Sequence, residues 1–396
     1  MHQRLVKVFT ASLFCLLAFP SFANTPIPPS TQEQSLKAQQ NCRKNTSQKV
    51  ASIVKKARED GTLAKNYRDC QYKKAGALDA LCKRVDTITD VNDIRQRLDV
   101  WIAKPKKAGA KTPLVVFVHG GGFRAGCKEG VWEKPLYTKL LAAGVSFAAI
   151  HYRLVMRNGR TILNSYPTPM DDAKAALDFL IKHASTFNID PSKICLAGGS
   201  AGAGIIQWLA YKHPGLVRCI VPDSAQTSYH PVLIQQAFHA KFTPKVKNYT
   251  QVNLPMHSSL LPLAGIWHPN LSMVQLSQKL FLCNHMTKQP KNCTNHIWEA
   301  VKKMRQASPI LHFEKLTSSQ VAPTLFVYGR SNEPVTSSTD PSVWVHHPAM
   351  ALALQAKCNA KSKKMECLSK VKILRSTDGN VRLDKTFGFL KAHLGF

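Results

Sequence analysis

From residue 96 onward the chain alternates apolar runs with amphipathic segments, and this alternation restricts the fold more than any other sequence feature. Each apolar run is short and ends in glycine or a polar residue, which is typical of strands buried on both faces of a parallel sheet. The pattern predicts an α/β fold in which helices cover both faces of a mostly parallel, doubly wound sheet. The predicted strands lie in LDVWIAKP, PLVVFVHGGGF, VSFAAIHYR, KICLAGGS, VRCIVPDSA, APTLFVYG and KVKILRS.

The domain boundaries follow from where the alternation begins and where it is interrupted. Residues 226–320 interrupt it: they are rich in proline, histidine and tryptophan, and they follow a predicted strand that ends at Asp223. Because open α/β sheets carry their sites at the carboxyl ends of the strands, we predict that this insertion forms a helical or irregular lid over those ends. The main domain would span 96–396, preceded by a helical, cysteine-containing segment over 24–95.

The amino-terminal residues 1–23 have the parts of a secretory signal peptide. The basic stretch MHQRLVK is followed by VFTASLFCLLAF, an apolar run too short to span a bilayer. Ser21 and Ala23 then occupy the small-residue positions that precede a cleavage site. We therefore predict cleavage after Ala23 and a secreted or periplasmic protein.

Cysteine usage is consistent with export. The chain has 11 cysteines, and Cys15 lies in the predicted signal, so an even number remains for pairing in an oxidising compartment. Cys195 and Cys219 lie on neighbouring predicted strands, and one alternative for them is a pair of buried free thiols. No C-x-x-C or H-x-x-x-H cluster predicts a zinc site, and we expect no cofactor. Three close pairs are expected to close short disulfide loops: Cys70/Cys82, Cys283/Cys293 and Cys358/Cys367.

The charge of the chain is strongly positive, with 54 lysines and arginines against 23 acidic residues and a net charge of +31. Such an excess attracts polyanions through long-range fields. The lysines are scattered in pairs, however, and neither form one tract nor alternate with aromatic residues. This distribution favours a solvated surface that associates weakly with anionic surfaces, and it does not predict a specific nucleic-acid site.

Two glycine-rich motifs follow predicted strands. Gly198–Gly202 fits G-x-S-x-G between a strand and a helix, the setting in which a sharp turn exposes a serine oxygen, so Ser200 is a candidate nucleophile. HGGGF at His119–Phe123 follows its own apolar strand. Backbone N–H groups in such a loop can hold the oxyanion of a tetrahedral intermediate. His119 itself is expected to hold the loop by a hydrogen bond and not to act as a base.

With these motifs in place, the chain resembles the α/β-hydrolase superfamily, in particular the carboxylesterases and lipases similar to hormone-sensitive lipase. The resemblance covers roughly 96–396 and includes LDVWIAKP, HGGGFRAGCKEG, HYR, NIDPSKICLAGGSAGAG, ASPI and PTLFVYG. It implies cleavage of small-molecule or lipid esters through an acyl-enzyme, with a serine nucleophile, a histidine base and an acid that orients the base. Carried over by residue, it implies Ser200 as nucleophile and Gly121, Gly122 and Ala201 as oxyanion donors.

The resemblance also indicates where the acid belongs. The family usually reads G-x-x-D-P-V after the strand that corresponds to PTLFVYG, whereas this chain reads GRSNEPV. Asn332 holds the counted position, but Glu333 directly precedes Pro334, as the acid normally does. We assign Glu333, with Asp340 and Asp223 as alternatives.

The base departs from the family pattern. The resemblance implies a histidine after the last strand, in a sequence such as D-G-N-H. This chain reads D-G-N-V there and has Val381 in place of the histidine. His346 and His347 follow the acid loop and are alternatives, whereas His393 near the end of the final helix is expected to point away. The base is therefore left open. If it is absent, the alternative function is a catalytically impaired hydrolase-fold protein that binds ligands or anionic surfaces.

Overall fold

The structure of the protein is a computed structural model. It describes residues 67–73, 76–77, 82–83, 96–131, 135–158, 161–242, 263–265, 279–280, 283, 293–330 and 341–396. The predicted signal peptide, Glu333 and Asp340 lie outside these residues. Across the described ranges, no helix combines the length and apolar character needed to cross a bilayer.

One large sheet organises the chain. Among the described residues, nine strands form this sheet in the order β11-β10-β9-β8-β4-β5-β3-β1-β2, and β6 and β7 form a separate hairpin. The strands are β1 (Tyr67–Gln71), β2 (Cys82–Lys83), β3 (Arg97–Trp101), β4 (Thr112–Val118), β5 (Ser146–Ile150), β6 (Met156–Asn158), β7 (Thr161–Leu163), β8 (Ile189–Gly199), β9 (Cys219–Asp223), β10 (Thr324–Tyr328) and β11 (Val371–Arg375).

The sheet is parallel from β5 to β11 and antiparallel at the opposite edge, where β3 pairs with β5 and with β1. Side chains of β4 alternate between two hydrophobic cores: Val116 packs in one and Val115 in the other. The first core includes helix α3 and the second includes α1 and α10. Helices thus cover both faces, which confirms the predicted α/β-hydrolase fold. The helices are α1 (Pro135–Ala142), α2 (Thr168–Lys182), α3 (Ala201–Lys212), α4 (Pro231–Phe242), α5 (Asn295–Ala307), α6 (Pro309–Glu314), α7 (Pro341–Val345), α8 (Ala349–Ala356), α9 (Lys364–Lys370) and α10 (Gly379–Leu394).

The helical prediction for 24–95 is wrong for the described residues of that segment. Tyr67–Gln71 forms β1 and Cys82–Lys83 forms β2, so the sheet begins before residue 96. The reason is tertiary: β1 pairs along its whole length with β3, and this pairing outweighs local propensity. The Cys70–Cys82 disulfide joins directly paired positions of β1 and β2.

Disulfides connect several elements, and the three predicted short loops are confirmed. The free-thiol alternative for Cys195 and Cys219 is wrong. These residues are direct partners in the parallel pair β8–β9, with Cα atoms 4.7 Å apart, and they form a disulfide. Direct pairing places their Cβ atoms on the same face of the sheet, where a bridge needs no backbone movement. Cys127 is also disulfide-bonded.

Candidate active site

Ser200 lies in a sharp turn between the end of β8 and the start of α3. Its backbone has φ 50° and ψ −116°, a conformation that residues other than glycine rarely adopt. Two hydrogen bonds hold the turn: the Ser200 N–H donates to the Asp223 carbonyl at 2.9 Å, and the Ser200 carbonyl accepts from the Gly204 N–H at 3.1 Å. The turn therefore presents the serine oxygen at the carboxyl end of the sheet, as the G-x-S-x-G motif predicts.

The glycines around Ser200 allow two backbone segments to touch. A Cβ added at Gly202 would overlap the carbonyl of Val118 at the end of β4, so only glycine fits there. On the facing loop, a Cβ at Gly120 would lie 2.8 Å from the Gly199 carbonyl oxygen and 3.2 Å from the Ser200 Cβ. The glycine loop after β4 and the serine turn after β8 are thus in direct contact.

Three backbone donors flank this contact. The N–H groups of Gly121, Gly122 and Ala201 donate to no acceptor within the part of the chain that the structure describes. The Gly121 carbonyl instead accepts from Ala125 at 2.9 Å, which closes the glycine loop into a tight turn. Ala201 begins α3, where the helix dipole adds positive potential. These N–H groups thus belong to the two segments that meet at Ser200.

His119 holds the glycine loop, as expected from the sequence. Its ring is 4% exposed and stacks on Tyr152 with ring centroids 4.3 Å apart. The Nδ1 atom lies 2.8 Å from the Gly120 carbonyl oxygen, and because a carbonyl can only accept, Nδ1 donates. The Tyr152 hydroxyl in turn donates to the His119 carbonyl at 3.1 Å.

The side chain in contact with the Ser200 hydroxyl is His346. Its Nε2 atom lies 2.8 Å from the Ser200 Oγ, within the distance that a general base needs. His346 directly follows α7, in the connection between β10 and β11. The sequence offered His346 only as an alternative, because the family pattern expects the histidine one strand later. The available signal was a pair of adjacent histidines inside a largely apolar stretch, VWVHHPAMAL.

Val381 lies at the start of a helix. It lies in the first turn of α10 and is 39% exposed. The Asp378 carboxylate caps this helix, accepting from the N–H of Asn380 at 2.8 Å and of Val381 at 3.4 Å. The sequence D-G-N-V therefore forms the capped start of α10. The described contacts of Val381 do not include Ser200.

The acid is not settled by the described residues, because Glu333, Asn332 and Asp340 lie outside them. Asp223 lies at the end of β9, where its Oδ1 accepts from the Ser224 hydroxyl at 2.9 Å. No hydrogen bond between Asp223 and His346 occurs within the described ranges, so the assignment of Glu333 stays a prediction.

Among the described residues, His393 and His230 contact other parts of the chain. Burial and the charge of Arg218 lower the pKa of His393. Arg218 directly precedes β9, so this pair is at the amino ends of the strands, opposite Ser200. His230 is buried, and its Nδ1 accepts from the Val232 N–H at 3.2 Å. The described residues contain no group of three or more candidate metal ligands.

A buried charge cluster anchors the glycine loop to the antiparallel edge of the sheet. It consists of Asp69, Arg97, Asp99 and Lys128, each at most 3% exposed. The Lys128 Nζ lies 2.7 Å from Asp99, and the Arg97 Nε lies 2.9 Å from Asp69. Lys128 begins a 3₁₀ turn that follows the loop in sequence. The cluster therefore joins β1 and β3 to the segment that follows the glycine loop.

A serine turn at the carboxyl end of a mostly parallel sheet, in contact with a glycine loop and a histidine, is the arrangement that the resemblance to α/β hydrolases implies. Comparison with known proteins supports the predicted resemblance to carboxylesterases and lipases. The BD-FAE family model matches residues 98–248. The chain is 24% identical over 241 residues to the probable carboxylic ester hydrolase LipM of Mycobacterium tuberculosis, covering 59% of this chain and 44% of that protein.

A second relative is human hormone-sensitive lipase, 28% identical over 144 residues, which cover 36% of this chain and 12% of the lipase. The chain thus spans less than half the length of both relatives. Among solved structures, the esterase LipW from Mycobacterium marinum is similar with a TM-score of 0.48 and 14% identity, over 92% of this chain and 90% of that one.

Proposed function

We propose that this protein is a secreted serine hydrolase that cleaves carboxylic esters through an acyl-enzyme on Ser200. The observation that carries the proposal is the 2.8 Å contact between the Ser200 Oγ and the His346 Nε2. A serine hydroxyl is a weak nucleophile until an adjacent base accepts its proton. The contact of the glycine loop with the serine turn also supports the proposal, since that loop carries two of the proposed oxyanion donors.

In the proposed reaction, the Ser200 oxygen attacks the ester carbonyl while His346 takes the hydroxyl proton. The negative charge that develops on the carbonyl oxygen is held by the N–H groups of Gly121, Gly122 and Ala201. The carbon–oxygen bond to the alcohol then breaks, and the alcohol leaves with the proton from His346. Water, deprotonated by His346, attacks the acyl group, and the acid and free Ser200 are released. Glu333 is the proposed acid that orients His346.

The names of the relatives support an ester as the bond that is cleaved, since they include a carboxylic ester hydrolase and a lipase. The proposal of secretion rests on the signal-like residues 1–23 and on the four described disulfides, which persist in oxidising compartments. Small-molecule or lipid esters are the proposed substrates, and residues 226–320 are the proposed lid that selects among them.

The test is turnover of short-chain p-nitrophenyl esters together with labelling by a fluorophosphonate. The wild-type protein should hydrolyse the ester and carry the label, and Ser200→Ala should abolish both. Ser192→Ala is the matched control, because Ser192 is exposed before the buried part of β8 and bonds only to Asp190 among the described residues. Absence of both turnover and labelling in the wild-type protein would overturn the proposal.

The alternative of a catalytically impaired binding protein depends on a missing base. The contact of His346 with Ser200 supports a base from another position than Val381, although the positive charge that also motivated the alternative is unchanged. Hydrolysis that depends on both Ser200 and His346 would exclude it.

A further inference from the structure

The turn that carries His346 is packed against the first helix of the insertion. The Phe238 ring of α4, only 5% exposed, meets the Trp344 ring edge to face at 4.7 Å and the His347 ring at 5.3 Å. Trp344 and His347 flank His346 in sequence on both sides. One aromatic ring from the insertion thus contacts residues two positions before and one position after the residue that touches Ser200.

Backbone and side-chain hydrogen bonds hold the inside of this turn. The His347 N–H donates to the Trp344 carbonyl at 3.2 Å, and the His347 Nδ1 accepts from the Ala349 N–H at 3.0 Å at the start of α8. These bonds fix the turn internally and tie it to α8. Helix α4 contacts the turn through Phe238 and also packs against α8. Phe238 therefore connects α4 directly to the turn that carries His346.

We infer that Phe238 is a positioning residue that sets the distance between His346 and Ser200. Through this ring, the placement of α4 affects how well the base is aligned. This inference rests on the proposed function, because it concerns the base of that reaction. A misplacement of about 1 Å in a reacting group can lower a rate about 100-fold. Loss of the ring should thus act on kcat more than on KM.

The test compares three variants. Phe238→Ala removes the ring, Phe238→Leu keeps much of its volume, and Ile234→Ala removes a buried apolar side chain one turn earlier on α4. We would measure kcat and KM for p-nitrophenyl butyrate across pH, and the ring-carbon NMR resonance of His346 in histidine-labelled protein. His346→Gln assigns that resonance.

Phe238→Ala should lower kcat about 100-fold with little change in KM. Its rate should rise with pH through hydroxide and not level off as an imidazole-dependent rate does. Phe238→Leu should restore most of kcat, and Ile234→Ala should resemble the wild type. The His346 resonance should be single in the wild type and broadened or split in Phe238→Ala.

A Phe238→Ala protein with wild-type kcat, pH profile and a single His346 resonance would overturn the inference. So would an equal loss of kcat in Ile234→Ala, since that result would indicate general loosening of α4. The NMR arm separates this inference from the proposed function: if the wild type hydrolyses no ester, a split His346 resonance in Phe238→Ala still supports the positioning role, and an unchanged resonance overturns it.

Discussion

At the residue scale, the catalytic proposal depends on which histidine reaches Ser200. The His346 Nε2 atom lies 2.8 Å from the Ser200 Oγ, whereas Val381 forms part of the first turn of α10. We predict that His346→Ala lowers kcat/KM by several orders of magnitude, as loss of a base does in serine hydrolases. Val381→His should leave kcat/KM unchanged, since Val381 is an exposed residue in the first turn of α10 and His346 already contacts the serine. Ester kinetics on both variants, with Val381→Ala as the control, check this. A large gain in Val381→His would return the base to the position that the family pattern implies.

A second residue-scale prediction concerns Tyr229, beneath the glycine loop. Its ring meets Phe123 edge on at 5.6 Å, and burial raises its pKa well above the ordinary value. The Tyr229 hydroxyl has no hydrogen-bond partner among the described residues. An unpaired buried hydroxyl costs roughly 1–3 kcal/mol. Tyr229→Phe should therefore raise the free energy of unfolding by about 1 kcal/mol, measured by urea denaturation.

Tyr328 provides the matched comparison for Tyr229. It is equally buried, but its hydroxyl donates to the Ala225 carbonyl at 2.9 Å. Tyr328→Phe leaves that carbonyl unpaired and should lower the free energy of unfolding by about 1–3 kcal/mol. Equal destabilisation by the two substitutions would contradict the assignment of Tyr229 as unpaired.

At the element scale, the sequence predicted seven strands of the main sheet, β3–β5 and β8–β11, because each apolar run is continuous, but it did not predict the β6–β7 hairpin. It did not predict β1 and β2, whose few residues gain their structure from pairing at the sheet edge. The same limit applies to the site. Ser200 and the glycine loop depend on local turns that glycine patterns reveal, whereas His346 is brought in by tertiary packing of its turn against α4 and α8.

The element-scale prediction concerns the cluster that fixes the glycine loop. Removing one partner of a buried ion pair leaves an uncompensated charge and costs about 3–5 kcal/mol. Lys128→Met leaves Asp99 and Asp69 without Lys128, so we expect a loss of that size in the free energy of unfolding, measured by denaturation. Lys174→Met, which breaks an i,i+4 pair with Asp178 on the surface, should cost about 0.3–0.5 kcal/mol. Similar losses in the two variants would contradict the role given to the cluster.

At the scale of the whole molecule, the disulfides report which regions open first. Cys195 and Cys219 are fully buried on neighbouring strands near the centre of the sheet, whereas the Cys70–Cys82 bridge joins its outermost strands and Cys82 is half-buried. Core strands open only with global unfolding, while edges open locally at lower free energy.

We therefore predict that dithiothreitol under native conditions reduces Cys70–Cys82 first, and that Cys195–Cys219 resists until the protein unfolds. Alkylation of released thiols followed by peptide mass spectrometry measures the order. The bridge between Cys195 and Cys219 has a sequence separation of 24, and a loop of this length contributes about 3 kcal/mol in the chain-entropy model, so its eventual reduction should lower the melting temperature. Early reduction of Cys195–Cys219 while the secondary structure persists would mean that the centre of the sheet opens locally, and the serine turn that follows β8 would then be far less rigid than its contacts indicate.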